Sequence, residues 1–225
     1  MFKKLYKTVV ISVCFFSTTA ICGVEIGGTR LIYNGNESQS TISVKNPDSK
    51  PYLIQSWVSK SEDSDDGGIE FTTTPPLFKL NPNSQNSVRV MLSEDKLPSD
   101  RESVYWLNIK AIPSSSPDAK NELLIAIKSK MKIFFRPVGL KGDPALAYQQ
   151  LIFSRDGGVL NIRNPTPYSV SFNEVKINGK AISNPPMVLP FQTIRLSHSG
   201  IIGGEVSWRA INDFGGVTDE KKVKI

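Results

Sequence analysis

The sequence predicts an all-β protein of two sandwich domains, and three observations carry the prediction. Apolar and polar residues alternate over short runs, clusters of Pro, Asn, Asp and Gly separate the runs, and no 3.6-residue apolar period is sustained for a dozen residues. The chain has 225 residues, enough for two domains of about 100 residues each once a leader is set aside.

Residues 1–22 read as a signal peptide: Lys3, Lys4 and Lys7 precede an apolar stretch from Val9 to Phe16, and small residues surround Ala20 and Cys22. Cleavage is expected after Cys22, with cuts after Ala20 or Gly23 as alternatives. A lipid anchor on Cys22 is the competing reading, and Ile21 argues against it because that processing needs a small residue there. Removal leaves 203 residues and lowers the formal charge from +6 to +3, which calls for neither a nucleic-acid partner nor a polybasic membrane surface. Both cysteines, Cys14 and Cys22, lie in the leader, so the mature chain has no disulfide and must be held by its cores. No other apolar run approaches membrane-spanning length, so no membrane insertion is expected.

In chain order the strand segments are "SQSTISVKN" (Ser38 to Asn46), "YLIQSWVS" (Tyr52 to Ser59), "NSVRVMLS" (Asn86 to Ser93) and "SVYWLNIKAI" (Ser103 to Ile112). A long basic strand, "ELLIAIKSKMKIFFRP" (Glu122 to Pro137), closes a domain expected over 23–137. A Gly/Pro linker (138–144) precedes a second domain over 145–225, with "GVLNIRN" (Gly158 to Asn164), "SVSFNEVKI" (Ser169 to Ile177), "TIRLS" (Thr193 to Ser197) and "EVSWRAI" (Glu205 to Ile211). Asn178-Gly179 is a hairpin signal, since both central positions of such a turn need positive φ. About seven short strands per half, with turns every 8 to 12 residues, predict two immunoglobulin-like β-sandwich domains. "SKSEDSDDGG" (Ser59 to Gly68) and "PSSSPDAKN" (Pro113 to Asn121) are surface loops, and Glu62, Asp63, Asp65 and Asp66 lack the ordered spacing of a calcium loop.

Catalytic inventory is poor. The mature chain has one histidine, His198, and no cysteine, which argues against a triad, a nitrogen or sulfur zinc site and a thiol redox centre. The pairs Gly157-Gly158, Gly203-Gly204 and Gly215-Gly216 read as turns, not phosphate cradles. No enzyme activity, cofactor or metal is expected. Binding is left, and the long strand is the best candidate. Leu123, Ile125, Ile127 and Met131 share one face and Lys128, Lys130 and Lys132 the other. The ordinary reading places the apolar row in the first core, but a strand of about fourteen residues exceeds the usual length, and an exposed apolar edge needs a partner to cover it.

"LPSDRESVYWLNIKAIPS", Leu97 to Ser114, resembles the signature of the periplasmic pilus-assembly chaperones of the chaperone-usher pathway, the PapD-like family. The resemblance extends through "GTRLIYNG" (Gly27 to Gly35), "VKNPDSKPYLIQSWV" (Val44 to Val58), "TPPLFKLNPNSQNSVRV" (Thr74 to Val90), "KMKIFFRP" (Lys130 to Pro137), "IRNPTPYSVSF" (Ile162 to Phe172) and "AINDFGG" (Ala210 to Gly216). It implies two immunoglobulin-like domains in an L or boomerang arrangement, and a periplasmic chaperone that binds, folds and caps pilin subunits by donor-strand complementation. It also implies delivery of those subunits to an outer-membrane usher. Leu123, Ile125, Ile127 and Met131 would then form the donor strand. Arg30 and Lys132 would anchor the subunit's C-terminal carboxylate, and Arg136, Asp213 and Glu102 would form an interdomain ionic cluster. The short loop before the donor strand and the absence of mature cysteines resemble the branch serving rod-like pili.

Lys132 has the opposite parity to the apolar row. A cleft on the other side of the strand, or a bulge between Ile127 and Lys132, would reconcile them. Whether free copies mask the strand by self-association is left open. The alternative reading, a secreted two-domain adhesin or carbohydrate-binding protein, would need exposed aromatics, whereas Trp57, Trp106 and Trp208 sit within strand alternation and are assigned to cores. An enzyme inhibitor built on sandwich loops has only "SEDSDDGG" in its favour.

Overall fold

A computed structural model describes residues 23–64, 67–68, 70–93, 96–115, 123–197 and 204–225. The leader with Cys14 and Cys22, and also Asp65, Asp66, His198, Gly203, Glu122 and most of the Ser/Pro loop, lie outside the described residues. The first half contains β1 (Glu25–Ile26), β2 (Arg30–Asn34), β3 (Ser40–Asn46), β4 (Tyr52–Ser59), β5 (Phe71–Thr74), β6 (Leu77–Leu80), β7 (Ser84–Leu92), β8 (Ser103–Pro113) and β9 (Ile127–Arg136). The second contains β10 (Ile152–Asp156), β11 (Val159–Arg163), β12 (Phe172–Ile177), β13 (Lys180–Ala181), β14 (Thr193–Ser197), β15 (Glu205–Ala210) and β16 (Lys221–Lys224).

Each half is a pair of sheets around its own core, as expected for two immunoglobulin-like sandwiches. The first packs β1-β3-β7-β5 against β2-β9-β8-β4-β6, and the second packs β10-β11-β14 against β13-β12-β15-β16. The first core holds the alternate inward residues, such as Val44, Ile54, Val88, Val90, Leu107, Ile109 and Ile133. One part of it is aromatic: Phe71 lies 5.6 Å from Tyr33 and 4.9 Å from Tyr105, both edge-on, the arrangement ring quadrupoles favour. The second core gathers Leu160, Ile162, Val175, Val188, Val206 and Trp208.

Asn46 and Asn164, each fully buried and each followed by proline, perform the same task in the two halves. Their side-chain amides donate to three backbone carbonyls, of Lys50, Leu80 and Asn81 in one case and of Tyr168, Val188 and Leu189 in the other. A buried loop carbonyl left unpaired would cost about 1–3 kcal/mol, so these two amides hold the turns closed.

The Asn178-Gly179 hairpin forms, with φ of 48° and 78° and Ile177 opposite Lys180. Three details differ from the sequence reading. Pro144–Gln150 forms a 3-10 helix capped by Asp143, whose side chain accepts from the Ala145 amide, a segment too short to show a period. Leu140, in the expected linker, packs on the second core. Trp208 is core and its Nε1 donates to the Tyr148 carbonyl at 2.9 Å, but Trp57 and Trp106 are only half-buried. They lie on the outer side of β4 and β8, because alternation reveals two faces without telling which is inside.

Candidate functional site

The functional region grows from β9 and its changing neighbours. β8 pairs with it antiparallel along its whole length, from Ser103 opposite Phe135 to Ala111 opposite Ile127, with no shift of register. β2 pairs with it in parallel only from Arg30 opposite Lys132 to Asn34 opposite Arg136. Among the described residues, 127–131 therefore have one neighbour strand and an open edge, while 132–136 have two. The strand also starts later than the sequence suggests, at Ile127. Two register positions further on, Ile125 would stand against Pro113, which has no N–H to offer a ladder.

The unbroken register leaves no bulge between Ile127 and Lys132, so Lys132 lies on the face opposite the apolar row. Odd positions continue the core face: Met131, Ile133 and Phe135 are buried in the first core, whereas Leu123, Ile125 and Ile127 run past its end and are 83%, 65% and 56% exposed. Met131 is thus a correction to the expected row, since burial beneath the sheet removes it from any partner's reach. The exposed row has three members. Ile125 and Ile127 border an apolar hollow with Val24, Ile26 and Ile109.

Of the even positions, 132, 134 and 136 face the second domain. Arg30 and Lys132 are register partners on adjacent strands, so their side chains rise from the same face. The Arg30 guanidinium lies 5.5 Å from the Phe134 ring centroid, and its Nη1 donates to the Ile211 carbonyl at 2.9 Å. Its Nε is buried without a hydrogen-bond partner. The Lys132 ammonium sits 5.1 Å from the Trp106 ring centroid. Burial lowers the pKa of Lys132, with the Arg30 charge acting in the same direction and Glu62 against it. Burial likewise lowers Arg30, partly offset by Asp213. Two partly desolvated cations, with a donor unsatisfied, make a site for an anion. Charge-assisted hydrogen bonds there are worth about 1.5–3 kcal/mol each. Of the other lysines, Lys128 is exposed and Lys130 donates to the Glu62 carbonyl.

Arg136, Glu102 and Asp213 come together between the domains. Arg136 Nε donates to Glu102 Oε1 at 2.8 Å, and its two terminal nitrogens donate to the Asp213 carboxylate at 2.8 and 3.1 Å. Glu102 Oε2 accepts from the Ser169 amide at 2.7 Å. Burial alone would lower the Arg136 pKa, but hydrogen bonds and charge from Asp213 and Glu102 hold it above the ordinary arginine value. Burial raises Glu102, and its bonds to Ser169 and Arg136 only partly oppose that. Sequence reasoning missed Trp106, Phe134 and the Ile211 carbonyl as partners of the cation pair. Register was the absent signal: Trp106 stands opposite Lys132 only once β8 and β9 are aligned. Among the described residues no group of His, Cys, Asp and Glu is arranged to hold a metal, and no helix is long and apolar enough to cross a membrane.

Residues 23–141 match the family described as pili and flagellar-assembly chaperone, PapD N-terminal domain, and residues 146–222 match pili assembly chaperone PapD, C-terminal domain. The chain belongs to the pilus-assembly chaperones. This chaperone is 38% identical over 220 residues to the probable fimbrial chaperone LpfB of Escherichia coli O157:H7, covering 96% of this chain and 94% of that protein. It is 37% identical over 206 residues to the chaperone protein FimC of Escherichia coli K12, covering 88% and 83% of the two chains. Among solved structures, the chaperone matches a chain of the Salmonella enterica SafA pilin in complex with the SafB chaperone. The TM-score is 0.82 and the identity 34%, with 92% of this chain and 99% of that chain covered.

Proposed function

We propose that this chaperone works in the periplasm, capturing fimbrial subunits by donor-strand complementation and delivering them, without catalysis, to an outer-membrane usher. The observation that carries the reading is the exposed row of Leu123, Ile125 and Ile127 beside the open edge of β9, at the end of which stands the Arg30–Lys132 pair. A subunit lacking a final strand exposes an apolar groove. Three aliphatic side chains at every second position fill such a groove, each contributing roughly 1.5–3 kcal/mol on full burial. The open edge supplies main-chain pairing as in other strand additions.

With the carboxylate anchored at these cations, the incoming strand has one direction open to it. β2 begins at Arg30 and runs parallel to β9. A subunit strand laid along residues 127–131 lies in line with β2, and its C-terminal carboxylate meets Arg30 and Lys132 only if it too runs parallel to β9. The anchored terminus then sets register, which on a strand with one buried face decides which side chains enter the groove. The SafB chaperone in complex with a pilin supports this reading. Release to an usher needs no nucleotide if a neighbouring subunit's strand displaces the chaperone's at lower free energy.

The test is co-expression with a fimbrial subunit. Arg30→Ala and Lys132→Ala should each sharply reduce recovery of soluble subunit. Ile125→Asp with Ile127→Asp should abolish the complex while leaving the chaperone's melting temperature unchanged, since both side chains face water. Intact complexes from either cation variant would contradict the anchor, and an unfolded double variant would return the row to the core.

A further inference from the structure

Arg30 has an apolar neighbour that the donor-strand reading does not use. Phe214 is 96% exposed, and a lone exposed aromatic carries little by itself. Two observations set it apart. First, its turn is held from every side. Asn212 Oδ1 accepts from the amides of Phe214 and Gly216 at 3.0 and 2.8 Å, Asn212 N donates to the Gly216 carbonyl and Gly215 N to the Asn212 carbonyl, and Arg136 clamps Asp213. Gly215 has φ of +83° and packs so closely that a Cβ would stand 2.6 Å from Thr29 Oγ1. Second, Phe214 lines the same interdomain cavity, of about 310 Å³, as Arg30 and Phe134.

We infer that Phe214 is a specificity-determining contact for the bound subunit, packing against an apolar side chain that lies beside the subunit's own C-terminal carboxylate. The inference rests on the carboxylate anchor proposed above. An acceptor that reaches the Arg30 guanidinium from this cavity brings its flanking group alongside Phe214, which lines the same space. A chain terminus combines the two chemistries, a carboxylate and an adjoining apolar group. A rigid turn supports such a contact well, because little conformational freedom is lost when the ring is covered.

The experiment uses the purified chaperone and a synthetic peptide copying the C-terminal strand of a pilin, in free-acid and amidated forms. Phe214→Ala should weaken binding of the acid form about tenfold, and Phe214→Tyr should stay within about twofold. Melting temperatures should match wild type. If the acid form is preferred but Phe214→Ala binds it as wild type does, this inference falls alone. If wild type binds acid and amide equally, the anchor and this inference fall together.

Discussion

Lys132 is held in two opposing roles, and its titration separates them. Burial, with the Arg30 charge beside it, lowers its pKa below the model-peptide 10.5, so in the window between the lowered value and 10.5 the folded chain has released a proton that the unfolded chain still holds. Stability of the free protein due to this group therefore rises with pH through that window. Binding of a carboxylate needs the ammonium form, so affinity for the subunit terminus should fall through the same window. Peptide titrations across the alkaline range should show this loss of affinity in wild type. Lys132→Arg should flatten it, since arginine stays charged. An affinity independent of pH would mean that Lys132 does not touch the carboxylate.

At the scale of elements, the proposed mechanism asks a single strand, β9, to serve both its own core and a partner. Its alternation was legible in the sequence, and the pairing of opposite-parity lysines with the apolar row was visible as a puzzle. What decides the puzzle is context that no single segment contains. The row is buried at Met131 and exposed at Ile127 although nothing in the period changes, because the sandwich ends there. The edge opens at residue 131 because β2 begins at Arg30, after the chain leaves the other sheet at Ile26. Gly27 makes that crossing tight, its amide donating to the Ser43 carbonyl at 2.9 Å. The same blindness to context misassigned Trp57 and Trp106, whose strands alternate as cleanly as that of Trp208. Arg30, Lys132 and the ionic cluster were legible only through family resemblance, since isolated cations in strands carry no periodic signal.

For the whole molecule, the ionic cluster is a polar link between the two domains. Glu102 is nearly inaccessible, its side chain 1% exposed, and among the described residues Arg136 is its only ion-pair partner. Arg136→Ala would leave that carboxylate buried without its counter-charge, though still bonded to the Ser169 amide, with an expected loss of about 3–5 kcal/mol in chemical denaturation. Arg136→Lys should recover little, because one ammonium cannot reproduce a fork that reaches Glu102 and Asp213 together. Scattering profiles of the alanine variant should broaden as well, since the Arg30 bond to the Ile211 carbonyl and the Glu102 amide bond to the Pro167 carbonyl would be left to hold the domains. A wild-type denaturation curve would show that the cluster adds no stability.

On the proposed mechanism, residues 127–131 of β9 await a strand that the described residues of the free protein do not supply. Backbone amide exchange, measured residue by residue with and without a bound fimbrial subunit, tests it most directly. In the free chaperone, protection should be low over residues 127–131 and high over 132–136, where β2 covers the second edge. Subunit binding should raise protection selectively in the first segment. Exchange along β9 that is uniform in the free protein and unchanged by a bound subunit would contradict the account.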